Sequence, residues 1–118
     1  MNQHIPERRR YPRIKKELPL KIMGQGYDFV TQTKDLSCIG AYCCVDKYIP
    51  PMTKLSVMML LPSESEEKNA ALKVQCKGVV VRTNPNPPTG FNIAIFFNDI
   101  SQRNKDKISQ YVNHFLTS

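Results

Sequence analysis

The chain has no apolar run that approaches the roughly 18 residues needed to cross a bilayer. The longest uninterrupted one, Val57-Met58-Met59-Leu60-Leu61, reads as a buried strand. Histidine is scarce: His4 and His114 are the only two, and neither stands near a carboxylate or cysteine constellation. The four cysteines include no CxxC pair, since Cys43 and Cys44 are adjacent and Cys38 and Cys76 stand alone. Zinc sites and Cys–His catalysis are therefore not expected. No nucleophile–base pair, paired acids or phosphate loop appears either, so no catalytic residues are assigned and an enzyme is not expected. Repeats and low-complexity tracts are absent. The first ten residues are polar and basic with no apolar segment behind them, so the reading is a cytoplasmic protein without a secretory signal. In that compartment the cysteines read as reduced thiols acting as small hydrophobes, with Cys43 and Cys44 on opposite faces of a strand.

What is present is charge, unevenly placed. The 118 residues carry a net +7. Residues 1–16 hold Arg8, Arg9, Arg10, Arg13, Lys15 and Lys16 against Glu7 alone, a net +5, which leaves +2 for the other 102 residues. A near-neutral body with a cationic arm suits an anionic partner: nucleic acid, a phosphorylated small molecule or a membrane surface. A solvated tail kept for solubility is the plainer alternative. At 41% apolar and 23% charged residues, the rest has the composition of one globular domain.

Residues 1–17 read as a flexible arm, because Pro6 and Pro12 interrupt any helix and Pro12 biases Tyr11 towards extended backbone. Residues 18–118 read as the folded domain. Six short β-rich runs follow, separated by turn residues: 18–22, 27–34, 41–45, 54–61, 71–83 and 91–97. Asp35 to Gly40 reads as a turn, residues 63–69 as an acidic exposed loop, and the proline-rich stretch 84–90 as a connection no strand passes through. Hairpin-length links among six strands predict an antiparallel barrel, which leaves no open edge. The period then changes to 3.6: Ile108, Tyr111, Val112, Phe115 and Leu116 form one stripe of a helix over about 100–116, capped at Asp99 or Ser101 and covering the barrel's mouth or side.

Two short constellations carry chemistry. In Arg8-Arg9-Arg10-Tyr11-Pro12-Arg13, extended backbone separates Arg9 from Arg13 by roughly 13 Å on one face. A guanidinium fork donates paired hydrogen bonds to phosphate or to guanine O6 and N7, and stacks on purines. The second constellation is Asp35-Leu36-Ser37-Cys38-Ile39-Gly40. Taken alone it is equally a turn, with Asp and Ser bonding local amides and Gly at positive φ. Functionally, the carboxylate suits guanine N1 and N2 donors and the Ser hydroxyl adds a polar contact. Gly40 lets backbone approach a ligand.

Together the RxxxR at Arg9 and Arg13, preceded by Arg8, and the DxSxxG at Asp35, Ser37 and Gly40 resemble the PilZ domain, the bacterial receptor module for cyclic di-GMP. The resemblance covers essentially the whole chain. It implies a six-stranded barrel with a C-terminal helix, two arginines gripping phosphates and guanines, Asp35 and Ser37 on a guanine, and Gly40 keeping the turn tight. It further implies that Arg8 goes with a stacked ligand pair, hence two cyclic di-GMP molecules per chain. Ala94 stands where the family strand commonly has Gly. The expected function is a non-enzymatic receptor whose arm folds over the barrel on binding, as a monomer or ligand-dependent dimer, and alters a surface for an unidentified downstream protein. No cofactor and no metal are expected. A nucleic-acid-binding barrel, with Tyr27, Phe29 or Tyr42 stacking bases, and a ligand-independent adaptor are the alternatives.

Overall fold

The computed structural model describes residues 11–62 and 71–117. Chain order gives β1 Pro19–Gly24, β2 Tyr27–Ser37, β3 Gly40–Val45, β4 Lys54–Pro62, β5 Ala71–Pro85, β6 Phe91–Asp99 and α1 Gln102–Thr117. The strands pair antiparallel in the ring order β1-β2-β3-β6-β5-β4, and β1–β4 pairing closes the barrel. The expected fold class is the one observed.

Alternation explains the closure. In β4, Leu55, Val57, Met59 and Leu61 are buried while Lys54, Ser56 and Leu60 are exposed. Ile93, Ile95 and Phe97 do the same for β6. Inward side chains from all six strands meet in one core, which a period of two dictates once one face is dry. The β1–β2 hairpin needs only Gln25 and Gly26, at φ 55° and 85°, between the paired Gly24 and Tyr27. Positive φ at both loop positions matches the right-handed twist of the strands and favours Gly there.

Three boundaries differ from expectation. Asp35, Leu36 and Ser37 are not turn but the end of β2, paired with Tyr42, Ala41 and Gly40, so only Cys38 and Ile39 make the turn. β5 runs on to Pro85, where Asn84 faces Asn92 and Pro85 faces Phe91. A proline in the last register position interrupts no interior ladder bond, which is why strand and proline coexist. The core also includes Ile14, inside the segment read as the arm: it is 3% exposed and exchanges backbone bonds with Leu36, at 3.0 and 2.9 Å. Thr33, fully buried, fastens the next turn of chain by accepting from the Leu18 amide at 3.0 Å and donating to the Lys16 carbonyl.

The helix begins at a Ser101 cap, whose hydroxyl accepts from the Asn104 amide at 3.1 Å. It packs on β5 and β2. Its Asn104 and Lys107 side chains donate to the Gln75 and Lys73 carbonyls, along the part of β5 that precedes its pairing with β6. Ile108, Tyr111 and Val112 are buried, but Phe115 and Leu116, the last two members of the expected stripe, remain 41% and 53% exposed. Phe115 is held at the surface, with its ring 6.5 Å from Tyr111 and the Lys16 ammonium 5.3 Å above it.

Candidate ligand site

Of three register shifts around β3 and β6, one in the β2–β3 ladder and one in the β5–β6 ladder shape the outer wall here. In β2 the register steps from Thr33↔Cys43 to Asp35↔Tyr42, so Lys34 is an extra residue. In β5 it steps from Val80↔Ile95 to Arg82↔Ala94, so Val81 is extra. Each insertion turns the following residue through one face: Asp35 and Arg82, which strict alternation would send into the core, point outward. Between them lies a groove of about 560 Å³ on the outer face, floored by Gly40, Tyr42, Ala94 and Phe96 and rimmed by Arg13, Asp35 and Arg82.

The motif residues divide into two kinds. Arg13 and Asp35, 22 residues apart in sequence, meet at the rim with Nη1 donating to Oδ1 at 2.8 Å. With side chains 46% and 25% exposed, the pair is worth no more than about 1 kcal/mol to the fold. Its use is positional: one carboxylate oxygen is engaged, and the remaining guanidinium N–H groups are available to a ligand. Ser37 is fully buried and its hydroxyl accepts from the Ile39 amide at 3.2 Å, so it shapes the turn above the groove. Gly40 does not have positive φ, which corrects the turn-glycine expectation. A Cβ there would sit well inside 3.0 Å of the Ile95 carbonyl oxygen, so Gly40 is small because β6 backbone passes against it. Arg8 and Arg9 lie outside the described residues.

One groove residue escaped the motif reading, Arg82. The Arg82 guanidinium stands 5.8 Å from the centroid of the Tyr42 ring, a cation–π pair on the floor. Ala94 faces Tyr42 and Arg82 across the ladder and lines the same groove, so its methyl is on the groove side rather than in the core. Tyr27 and Phe29 are elsewhere, half-buried and stacked on each other with centroids 6.0 Å apart.

A family model, the PilZ domain, matches residues 7–114. The chain belongs to the PilZ family. No curated protein sequence matches it. Among solved structures, the Bacillus subtilis inhibitor of motility (MotI/DgrA) superposes with a TM-score of 0.81 at 18% identity, over 95% of this chain and 53% of that one. The PilZ domain of YcgR from Escherichia coli, solved with c-di-GMP, gives 0.61 at 12% identity over 94% and 93%. A tetrameric PilZ protein from Xanthomonas campestris, assembled through a helical bundle, gives 0.53 at 13% over 80% and 48%. This PilZ chain thus spans about half the length of the first and the last of these, and at such identities they share its fold.

The cysteines of this PilZ domain are free thiols. Burial, with the neighbouring Cys44 adding to it, pushes the Cys43 thiol up to about 12. Burial and then Asp99 raise Cys76 to about 12 as well. Neither is a nucleophile near neutral pH. Among the described residues no cluster of His, Cys, Asp or Glu is placed to hold a metal, and no helix is long and apolar enough to cross a membrane.

Proposed function

We propose that this PilZ domain is a receptor for cyclic di-GMP and performs no catalysis. The observation that carries the reading is the Arg13–Asp35 pair at the rim of the β3–β6 groove. Asp35 keeps a second oxygen to accept from guanine N1 and N2, while Arg13 keeps donors for a phosphate or for guanine O6 and N7. Tyr42 with Arg82 offers a flat cationic surface for a purine. The solved YcgR domain, which holds c-di-GMP on the same fold, supports the assignment. Arg8 and Arg9 supply the remaining cations. Binding draws the arm onto the dinucleotide, in a stacked pair per chain, and the reordered arm changes the surface met by a downstream protein in the cytoplasm.

A single-stranded nucleic-acid site needs successive aromatic platforms along a basic path. Tyr42 supplies one, but Tyr27 and Phe29 are half-buried against each other, so the dinucleotide is the better fit.

Isothermal titration with cyclic di-GMP, for wild type and Arg13→Ala, tests the reading. Losing charge-assisted bonds at about 1.5 to 3 kcal/mol each lowers affinity at least about tenfold. The alanine variant melts within about 5 °C of wild type, because the half-exposed pair it loses contributes at most about 1 kcal/mol. Cyclic di-AMP, lacking the donors that Asp35 accepts from, does not compete. Wild-type affinity in Arg13→Ala, or equal competition by the adenine analogue, would remove the site.

A further inference from the structure

The ring order sets the β1–β4 seam across the barrel from the β3–β6 groove. Outward positions on β1, β4 and β5 up to Lys77 include Lys21, Lys54, Lys73 and Lys77, and no Asp or Glu. Residues 17–118 carry only +2 in total, so four lysines with no acidic side chain among these outward positions make the wall locally more positive than the body as a whole.

The register interleaves charge with soft apolar surface. Lys21 pairs with Met58 and Met58 with Gln75; Met23 pairs with Ser56 and Ser56 with Lys77; Leu60 pairs with Lys73. Every large apolar side chain on the wall therefore has a lysine one or two strands away. A groove of about 310 Å³ opens along these rows, lined by Met23, Ser56, Met58, Gln75 and Lys77, with Asp99 at one end beside Lys77. The Gln75 amide donates to the Met58 sulfur at 3.8 Å, which holds that thioether as part of the lining. The helix leaves the wall open: Lys54, Ser56, Leu60, Lys73, Gln75 and Lys77 are all exposed.

We propose that this wall docks an acidic segment of a partner protein, with carboxylates on Lys21, Lys73 and Lys77 and an apolar side chain in the Met23–Met58 groove. An extended segment presents like side chains every second residue, at roughly the spacing of the rows it meets. Methionine adapts its shape to an incoming apolar group, and complementary charge steers the encounter. A lipid surface fits less well, because Met23 and Met58 are recessed and the large apolar side chains standing out of β4 and this part of β5, Leu60 and Leu72, are each only 40% exposed. Nucleic acid fits less well again, because the wall carries neither aromatic residues nor arginine. The proposal is independent of the dinucleotide reading, since no residue of this wall lines the other groove.

Fluorescence anisotropy of the full chain with a labelled peptide of alternating Glu and Leu tests it, alongside the same peptide with Ser for Leu. The leucine peptide binds at least about tenfold more tightly than the serine peptide, because only the former fills the groove. Lys73→Ala/Lys77→Ala weakens it at least about tenfold and leaves the melting temperature and cyclic di-GMP affinity unchanged, both residues being exposed and remote from the ligand groove. Equal binding of the two peptides would reduce the wall to an ion atmosphere. Unchanged binding in the double variant would put the peptide elsewhere. Failure of the leucine peptide to bind, with or without binding to phosphatidylcholine–phosphatidylserine vesicles, would also overturn the proposal; vesicle binding alone would assign the lysines to lipid.

Discussion

Gly40→Ala is the sharpest test of how the ligand groove is built. If Gly40 served a left-handed turn, alanine would meet only backbone strain. Its backbone is not in that region, and the clash is instead with a main-chain atom, the Ile95 carbonyl oxygen. Neither strand has a flexible side chain to swing aside, so β3 and β6 must separate near the Gly40↔Phe96 pair. Overpacking of this kind costs about 1 to 3 kcal/mol. The adjoining bond from the Phe97 amide to the Ile39 carbonyl, 2.8 Å long, is strained with it and adds about 1 kcal/mol. A loss of about 2 to 4 kcal/mol lowers the melting temperature of a domain this size by roughly 10 °C or more. Urea unfolding at constant m-value measures it, with Gly26→Ala as the comparison, since a Cβ at Gly26 meets nothing within 4 Å and pays only for its φ of 85°. Cyclic di-GMP affinity falls together with stability, because Gly40 and Ile95 both line the groove. A Gly40→Ala protein within about 0.5 kcal/mol of wild type would refute the close-approach argument.

Thr33→Val strands the buried Leu18 amide and Lys16 carbonyl, so stability falls by about 2 to 4 kcal/mol and amide exchange quickens first around residues 14–18, as hydrogen exchange will read. Arg8→Leu shifts the cyclic di-GMP ratio in isothermal titration from two per chain towards one without abolishing binding; a wild-type ratio of one would dispose of the stacked pair. The Cys43 thiol titrates near 9.0 when unfolded but keeps its proton to about 12 when folded, so its contribution is complete below pH 9 and drains away as pH rises towards 12. Its share of the slope is up to about 1.4 kcal/mol per pH unit, and Cys43→Ala flattens the urea midpoint between pH 9 and 11 by that share.

Much of this was legible in the residues. Unbroken alternation in Lys54–Leu61 and Phe91–Phe97 marks β4 and β6 because each buries one face, and Ile108, Tyr111 and Val112 mark a helix for the same reason. The motif at Asp35 located the groove's rim. Alternation alone could not see the bulges, since an inserted residue leaves no compositional trace in a strand as polar as Thr31 to Asp35. It therefore misses Arg82, which counting by twos from Val80 sends inward. Gly40 was visible as a glycine, but whether it served a turn or a neighbouring strand depends on Ile95 of β6, far along the chain. Phe115 and Leu116 continue the helical period beyond the buried contact, and periodicity carries no record of where the barrel ends.

The extra residues at Lys34 and Val81 also bear on how the groove's rim withstands changes in strand length. Deleting Lys34 sets Asp35 directly after the inward Thr33, and alternation still sends that carboxylate outward while Leu36 stays in the core. Deleting Val81 leaves Arg82 outward beside the inward Val80 in the same way. What reverses the wall is the loss of a bulge without the loss of its residue: the strand then counts straight through, Asp35 or Arg82 turns into the barrel, and every side chain beyond it changes face. The bulges are thus the points where these two strands absorb an odd residue without turning the core inside out.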